Sequence, residues 1–292
     1  MTQHNRARLM LIGAMGIFGT IGLFVRSISV SSGELALYRA VIAAILLTGY
    51  FLAAGKPIRF RTLGRELPLL LISGAAMGFN WILLFEAYKY TTVSVATLSY
   101  YFAPVLVTLA CPLLFREKMG WVQWLCFGMS TLGLILITGL GDLSAGANHL
   151  TGIAFGLGAA VLYAGVMLLN KVIKGVSGLQ RTYLQFLAAI AVLLPYVLAT
   201  SGITLGSIGT GGGVNLLLVG GVHTCLASCL YFPSMKHLPG QEVAILSYID
   251  PLLACVLSVT LLGESMSLVQ LLGGLLILGF TLLNELKPAR NG

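Results

Sequence analysis

Polar positions are scarce along this chain, and they come in short clusters. Between the clusters lie apolar runs of about 20 residues, nearly free of charge, at roughly 9–26, 34–53, 66–88, 92–115, 119–138, 150–170, 181–200, 213–235, 241–262 and 267–286. A helix of that length crosses the ~30 Å hydrocarbon core of a bilayer with its backbone hydrogen bonds made internally. Strand-like alternation is absent, which disfavours a membrane barrel. The pattern therefore predicts ten transmembrane helices, with connections too short to hold a soluble domain. Arg6 and Arg8 precede the first run, but that run is too long for the apolar part of a secretory signal and lacks an obvious small-residue cleavage site. It reads as a retained first helix.

Composition agrees. Of 292 residues 58% are hydrophobic and 9% charged, and the mean hydropathy is +0.96, more apolar surface than a water-soluble domain can bury. The charge adds an orientation. With the N-terminus in the cytoplasm, alternation puts fourteen basic residues inside (Arg6, Arg8, Lys56, Arg59, Arg61, Arg65, Arg116, Lys118, Lys171, Lys174, Arg181, Lys236, Lys287 and Arg290) and only Arg26 and Lys89 outside, with Arg39 within the second helix. Both termini are then cytoplasmic, in a multi-pass protein of the plasma membrane. The net charge of +8 reports topology and anionic lipid, and nucleic acid is not an expected partner because no basic patch lies outside these loops.

The chain also repeats itself. Shifted by 147 residues, Leu98–Leu125 overlays Ile245–Leu272 without a gap, with identities Tyr101/Tyr248, Pro104/Pro251, Leu106/Leu253, Glu117/Glu264, Met119/Met266, Val122/Val269, Gln123/Gln270 and Leu125/Leu272. At a shift of 145, Ile17–Arg26 overlays Leu162–Lys171. Five helices per half is an odd number, so the second half enters the membrane upside down. The expected fold is an all-α membrane protein of ten transmembrane helices in two inverted five-helix repeats, 1–145 and 146–292. Inverted repeats are a signature of secondary transporters, in which one repeat rocks against the other around a midplane site.

The stretch FEAYKYTTVSVATLSYYFAP with REKMGWVQW, and its echo GQEVAILSYIDP with LLGESMSLVQLLGG, resemble the two repeats of the drug/metabolite transporter superfamily, in its ten-helix EamA branch. The resemblance covers essentially the whole chain. It implies a secondary carrier, commonly an exporter of amino acids or other small metabolites, with a central cavity lined by helices 1, 3, 4, 6, 8 and 9. It implies no particular substrate.

Counting along each run places Phe18, Asn80, Trp81, Tyr100, Tyr101, Tyr163, His223, Tyr248 and Asp250 near mid-depth, as candidate substrate-binding residues. Aromatic faces beside a carboxylate suit a cation or the ammonium of an amino acid. Asp250 is the sharpest of them, because a carboxylate at mid-depth costs ~2.5–3.5 kcal/mol on insertion scales and marks a substrate or proton site by default. Its repeat partner is Ala103, so the fold itself does not require the charge. The competing role is to accept backbone hydrogen bonds freed near Pro251. Asp250 and His223 are candidates for coupling transport to protons, and Glu117 and Glu264 for gate latches at the ends of the repeat arms. Individual tyrosines also serve as packing, and His223 as a satisfied core histidine.

Glu34 and Arg39 stand five apart and so are not ideal neighbours, and Arg39 is expected to brace the outer end by binding carboxylate or carbonyl groups; Glu86 and Lys89, three apart, are expected to pair. Cys111, Cys126, Cys225, Cys229 and Cys255 all fall within spans, and Cys225/Cys229 reads as a small apolar pair more than a metal site. The Gly-rich stretch near 201–213 lacks the GK[ST] of a phosphate cradle. No cofactor or metal is indicated. The rival class, a membrane-embedded enzyme, would need a nucleophile with a base or grouped His and carboxylates, and the chain has one intramembrane His and no G-x-S-x-G. The expected protein is a non-enzymatic carrier, monomeric or dimeric, moving a small solute by alternating access, more readily as an exporter. Import of a cationic or quaternary-ammonium solute is the alternative.

Overall fold

The structure, a computed structural model, describes residues 2–55, 64–115, 119–137, 147–176, 178–235 and 237–286, and among these every regular element is helical. The helices are α1 (Gln3–Gly19), α2 (Ile21–Val25), α3 (Ser32–Ala53), α4 (Leu67–Tyr90), α5 (Val93–Tyr100), α6 (Ala103–Phe115), α7 (Trp121–Ile137), α8 (Ala147–Val172), α9 (Gly178–Thr200), α10 (Thr210–Leu218), a π-helical segment (Val219–Leu226), α11 (Ala227–Met235), α12 (Gly240–Ser247), α13 (Ile249–Thr260) and α14 (Leu268–Leu286). Helix falls in each of the ten predicted ranges. Among the described residues eight segments are long and apolar enough to cross a membrane, and Trp121–Ile137 and Ile245–Thr260 are shorter apolar helices.

Four of the runs expected as single helices are interrupted, for local reasons. Pro104 has no N–H to give the Tyr100 carbonyl, and Pro251 has none for that of Ser247, so the chain breaks one turn before each proline. At those breaks Phe102 N bonds Ser99 O at 3.2 Å and Tyr248 N bonds Ile245 O at 3.3 Å, the tighter spacing of a 3₁₀ turn. The first run breaks at Thr20, whose hydroxyl lies 2.8 Å from Ile17 O. The eighth contains the π segment, where Thr224 Oγ1 donates to Val219 O, five residues back, at 2.7 Å.

Small residues allow the close crossings. A Cβ on Gly133 would lie 2.6 Å from Gly273 O, and one on Gly273 would lie 2.6 Å from Gly133 O, so α7 and α14 touch backbone to backbone. Gly74 of α4 meets Gln185 and Ala188 of α9 in the same way, and Gly152 and Gly156 of α8 meet Thr91 and Ser99. The packing pairs are α4 with α8 and α1 with α11; α4 with α9 and α3 with the π segment; α5 and α6 with α8, and α12 and α13 with α1. Two pairs join corresponding helices of the two halves, α3 with α9 and α7 with α14, while α5 packs on α13, the first half of one broken run against the second half of its counterpart.

Polar bonds sort the helix ends onto two faces. On one, Arg26 donates to Tyr88 O and Thr91 O and pairs with Glu264. There Glu34, in a capping box with Ser31, accepts from Thr204 N at 2.6 Å and from Tyr38 Oη at 2.9 Å. Glu34 therefore caps α3 and holds the segment after α9. The expected Glu86–Lys89 pair is present at 3.0 Å. On the other face Arg181 donates to Asn170 O and Ile173 O at the end of α8, Glu66 accepts from Lys174 N and Gly175 N, and Glu242 of α12 pairs with Arg8 and His4.

Gly273→Leu is expected to force α7 and α14 apart and to lower stability by about 1–3 kcal/mol. Thermal unfolding of the purified protein in detergent checks it against Gly279→Leu, where an added Cβ meets nothing within 4 Å and the midpoint should stay near that of the parent.

Candidate functional site

The breaks before Pro104 and Pro251 come together at the α5–α13 contact. Asp250 is the second residue of α13, so its carboxylate sits at the positive end of that half-helix. Tyr101, at the end of α5, donates its hydroxyl to Asp250 Oδ2 at 2.7 Å, while the Tyr101 and Tyr248 rings, equivalent in the two repeats, lie 6.4 Å apart. Gly19 at the end of α1 completes the junction: a Cβ there would come 2.7 Å from Asp250 O and 3.0 Å from Leu253 Cβ.

From Asp250 an aromatic series runs outward. Tyr101 meets Tyr100 edge-on at 6.0 Å, and Tyr100 stacks on Tyr163 of α8 at 5.1 Å. Phe18, next to Gly19, meets Tyr231 of α11 edge-on at 6.3 Å. Helices from both halves thus bring Tyr100, Tyr101, Tyr163, Tyr248 and Asp250 into one connected group, with Phe18 at its border. Pairwise ring contact and a bound carboxylate offer a cation an anionic partner and several π faces at once.

A second group forms around Arg39, which is 6% exposed. Its guanidinium carbon lies 4.4 Å from the Trp81 ring centre and 5.5 Å from that of Phe85, and Nε donates to Thr224 Oγ1 at 2.9 Å. Trp81 is itself held against Phe186 at 5.6 Å. Among the described residues no carboxylate comes within 4.0 Å of Arg39, so the expected brace to carboxylate or carbonyl groups is corrected to a stacked guanidinium with a hydroxyl acceptor.

His223 is placed by the π segment against α2, where its ring lies 4.8 Å from that of Phe24. Nδ1 is 3.1 Å from Leu218 O and must donate there; Nε2 is 2.9 Å from Thr20 Oγ1. Two complete patterns exist. With neutral His223 the Thr20 hydroxyl donates to Nε2, and with the imidazolium Nε2 donates and the hydroxyl turns to Ile17 O, so protonation here would be read directly at the α1–α2 break. No hydrogen bond joins His223 to Asp250. Asn80 donates to Ala159 O at 2.6 Å and joins α4 to α8, away from the carboxylate.

Glu264 sits at the face that carries Arg26. Its Oε2 accepts from Val93 N, at the start of α5, at 2.8 Å, and it pairs with Arg26 and Ser258, so one carboxylate ties the segment after α13 to α2 and α5. Glu117, the corresponding candidate, lies outside the described residues. A cavity of about 370 Å³ opens beside this knot, lined by Arg26, Ser32, Leu35, Phe85, Tyr88 and Lys89 among others. Sequence reasoning missed Arg26, Tyr88, Thr20 and Thr224. Arg26 and Thr224 carried a signal, a lone basic residue on a sparsely charged side and a hydroxyl beside the only intramembrane His; Tyr88 and Thr20 carried none.

The model of the EamA-like transporter family matches this chain twice, at residues 5–139 and 150–285. An uncharacterized transporter of Bacillus subtilis, YxxF, is 30% identical over 94% of this chain and 88% of its own length, and an uncharacterized transporter of Archaeoglobus fulgidus is 30% identical over 96% of both. A solved crystal structure with 18% identity shares the fold with a TM-score of 0.63, over 94% of this chain and 95% of the other. With both halves matched, this chain belongs to the EamA-like transporter family, consistent with the drug/metabolite transporter superfamily, and it is a multi-pass membrane protein.

Proposed function

We propose that the protein is a secondary carrier of ten transmembrane helices, in which residues 1–145 and 146–292 are inverted repeats that rock about the Asp250 junction. It exports a small amine-bearing metabolite, such as an amino acid or amine, across the plasma membrane, with protons as the coupling ion. The observation that carries this reading is the Tyr101–Asp250 hydrogen bond at the meeting of two broken helices, one from each half. Half-helix ends at mid-depth are where carriers bind their solutes. The twofold family match supports the repeat, as do the strongest packing pairs: α4 with α8 corresponds to α11 with α1, and α4 with α9 to the π segment with α3.

The chemistry follows from competition for one carboxylate. Ionised Asp250 accepts the Tyr101 hydrogen bond and can also accept an ammonium, whereas a proton on it removes the charge that holds the ammonium. Solute and proton then occupy the site alternately. The Glu264 knot ties α2, α5 and the segment after α13 together on the face carrying Arg26, which positive-charge bias assigns to the outside, and is the latch that has to release as the halves rock. The runner-up, import of a quaternary-ammonium solute, draws support from the aromatic series beside Asp250.

In proteoliposomes, Asp250→Asn should abolish the pH dependence of transport and weaken amine binding by about tenfold or more, since the amide keeps the shape and cannot ionise. Tyr101→Phe, which removes only the donated hydrogen bond, should keep the pH dependence with altered affinity. Parental rate, pH profile and affinity in Asp250→Asn would contradict the proposal. For orientation, in a cysteine-free background Leu205→Cys should react with an impermeant maleimide added to intact cells, and Gly175→Cys should react only after permeabilisation; the reverse pattern would overturn the topology.

A further inference from the structure

Arg39 is a buried cation left incomplete by its surroundings. A guanidinium has five N–H donors, yet Arg39 spends one on Thr224 Oγ1 and faces Trp81 and Phe85 with its plane. Keeping a charge inside a membrane is costly, and charges there are normally paired. This one has no carboxylate within 4.0 Å among the described residues. Helix bracing does not account for this, because a bracing arginine would use its terminal nitrogens on protein acceptors, as Arg26 and Arg181 do.

The space beyond it is consistent with a ligand. Phe85 lies under the guanidinium and also lines the cavity of about 370 Å³, and Leu35, one helical turn before Arg39, lines it too. A planar fork stacked on an indole, with its two terminal nitrogens unused, is a preformed receptor for a carboxylate.

We infer that Arg39 binds the carboxylate of the transported solute while Asp250 holds its ammonium, so that the carrier selects zwitterions over the corresponding amines. The inference rests on the function proposed above, and it decides against the quaternary-ammonium alternative, since a solute with only positive charge gains nothing from Arg39 and is repelled by it.

The test compares three sets of probes on the purified full-length protein by titration calorimetry: the L-amino acids, the amines with the same side chains, and the deaminated acids. The parent should bind one or more amino acids at least about tenfold tighter than the matching amine. Arg39→Gln should bring that amino acid down to the level of its amine, leaving the amine unweakened, and Arg39→Lys, which keeps the charge without the planar fork, should fall between. Asp250→Asn should weaken amino acid and amine together. A merely structural Arg39 would lower thermal stability in Arg39→Gln with the amino acid to amine ratio unchanged, and that result overturns the inference. Amines bound as tightly as amino acids by the parent would also overturn it, with the carrier reading intact. Binding of no probe in any set would instead count against both.

Discussion

In a bilayer every backbone N–H and C=O needs a partner inside the protein, and the most consequential feature of this chain is where it declines to make those bonds in the regular way. Pro104 and Pro251 each delete one donor, and the helices break at Tyr101 and Tyr248 as a result. The rest of the site depends on these two breaks. They turn the Tyr101 hydroxyl toward Asp250, set Asp250 at the start of a half-helix, and let the Tyr101 and Tyr248 rings approach one another. The Thr20 break and the π segment bring the remaining wall into place, since Gly19 must fit against the Asp250 backbone and Thr224 must reach Arg39. Irregular backbone and buried charge thus occur together, each accommodated by the other.

The charged residues divide by depth into two kinds. Several of those at the helix ends are engaged by the protein: Glu34 by Ser31, Tyr38 and Thr204, Arg181 by two carbonyls, Glu264 by Arg26 and Val93. They hold loops and caps. The two at depth, Asp250 and Arg39, are each given one protein hydrogen bond and aromatic neighbours. A charge that is merely structural is best surrounded by as many partners as geometry allows. A charge that must receive and release a solute is best left partly unsatisfied, and the difference between the two depths follows that distinction.

Much of this was legible in the sequence because apolar length and internal repetition are direct records of the bilayer and of duplication. The helical ranges, the equivalence of Tyr101 with Tyr248, and the singular position of Asp250 opposite Ala103 needed no coordinates. The interruptions were harder, because hydropathy averages over a run and does not register one missing N–H. The partners of Arg39 were misread for a different reason. Glu34 stands closest to it in sequence, but the capping geometry of α3 turns that carboxylate to Thr204, and the true neighbours Trp81 and Thr224 come from helices far along the chain. Asn80 and His223 shared the depth of Asp250 but not its direction, and depth alone carries no information about which way a side chain faces.

The central claim is that the two halves rock about the Asp250 junction and expose it to the two faces in turn. Double electron–electron resonance in nanodiscs tests this most directly, with spin labels at Tyr90 and Leu261 on the face carrying Arg26 and at Trp121 and Val172 on the opposite face, all exposed positions. In Glu264→Gln, which weakens the knot with Arg26 and Val93, the first pair should move apart while the second draws together, relative to the same labels in the parent. Distances that stay fixed in both backgrounds, or that change in the same sense on the two faces, would contradict the account.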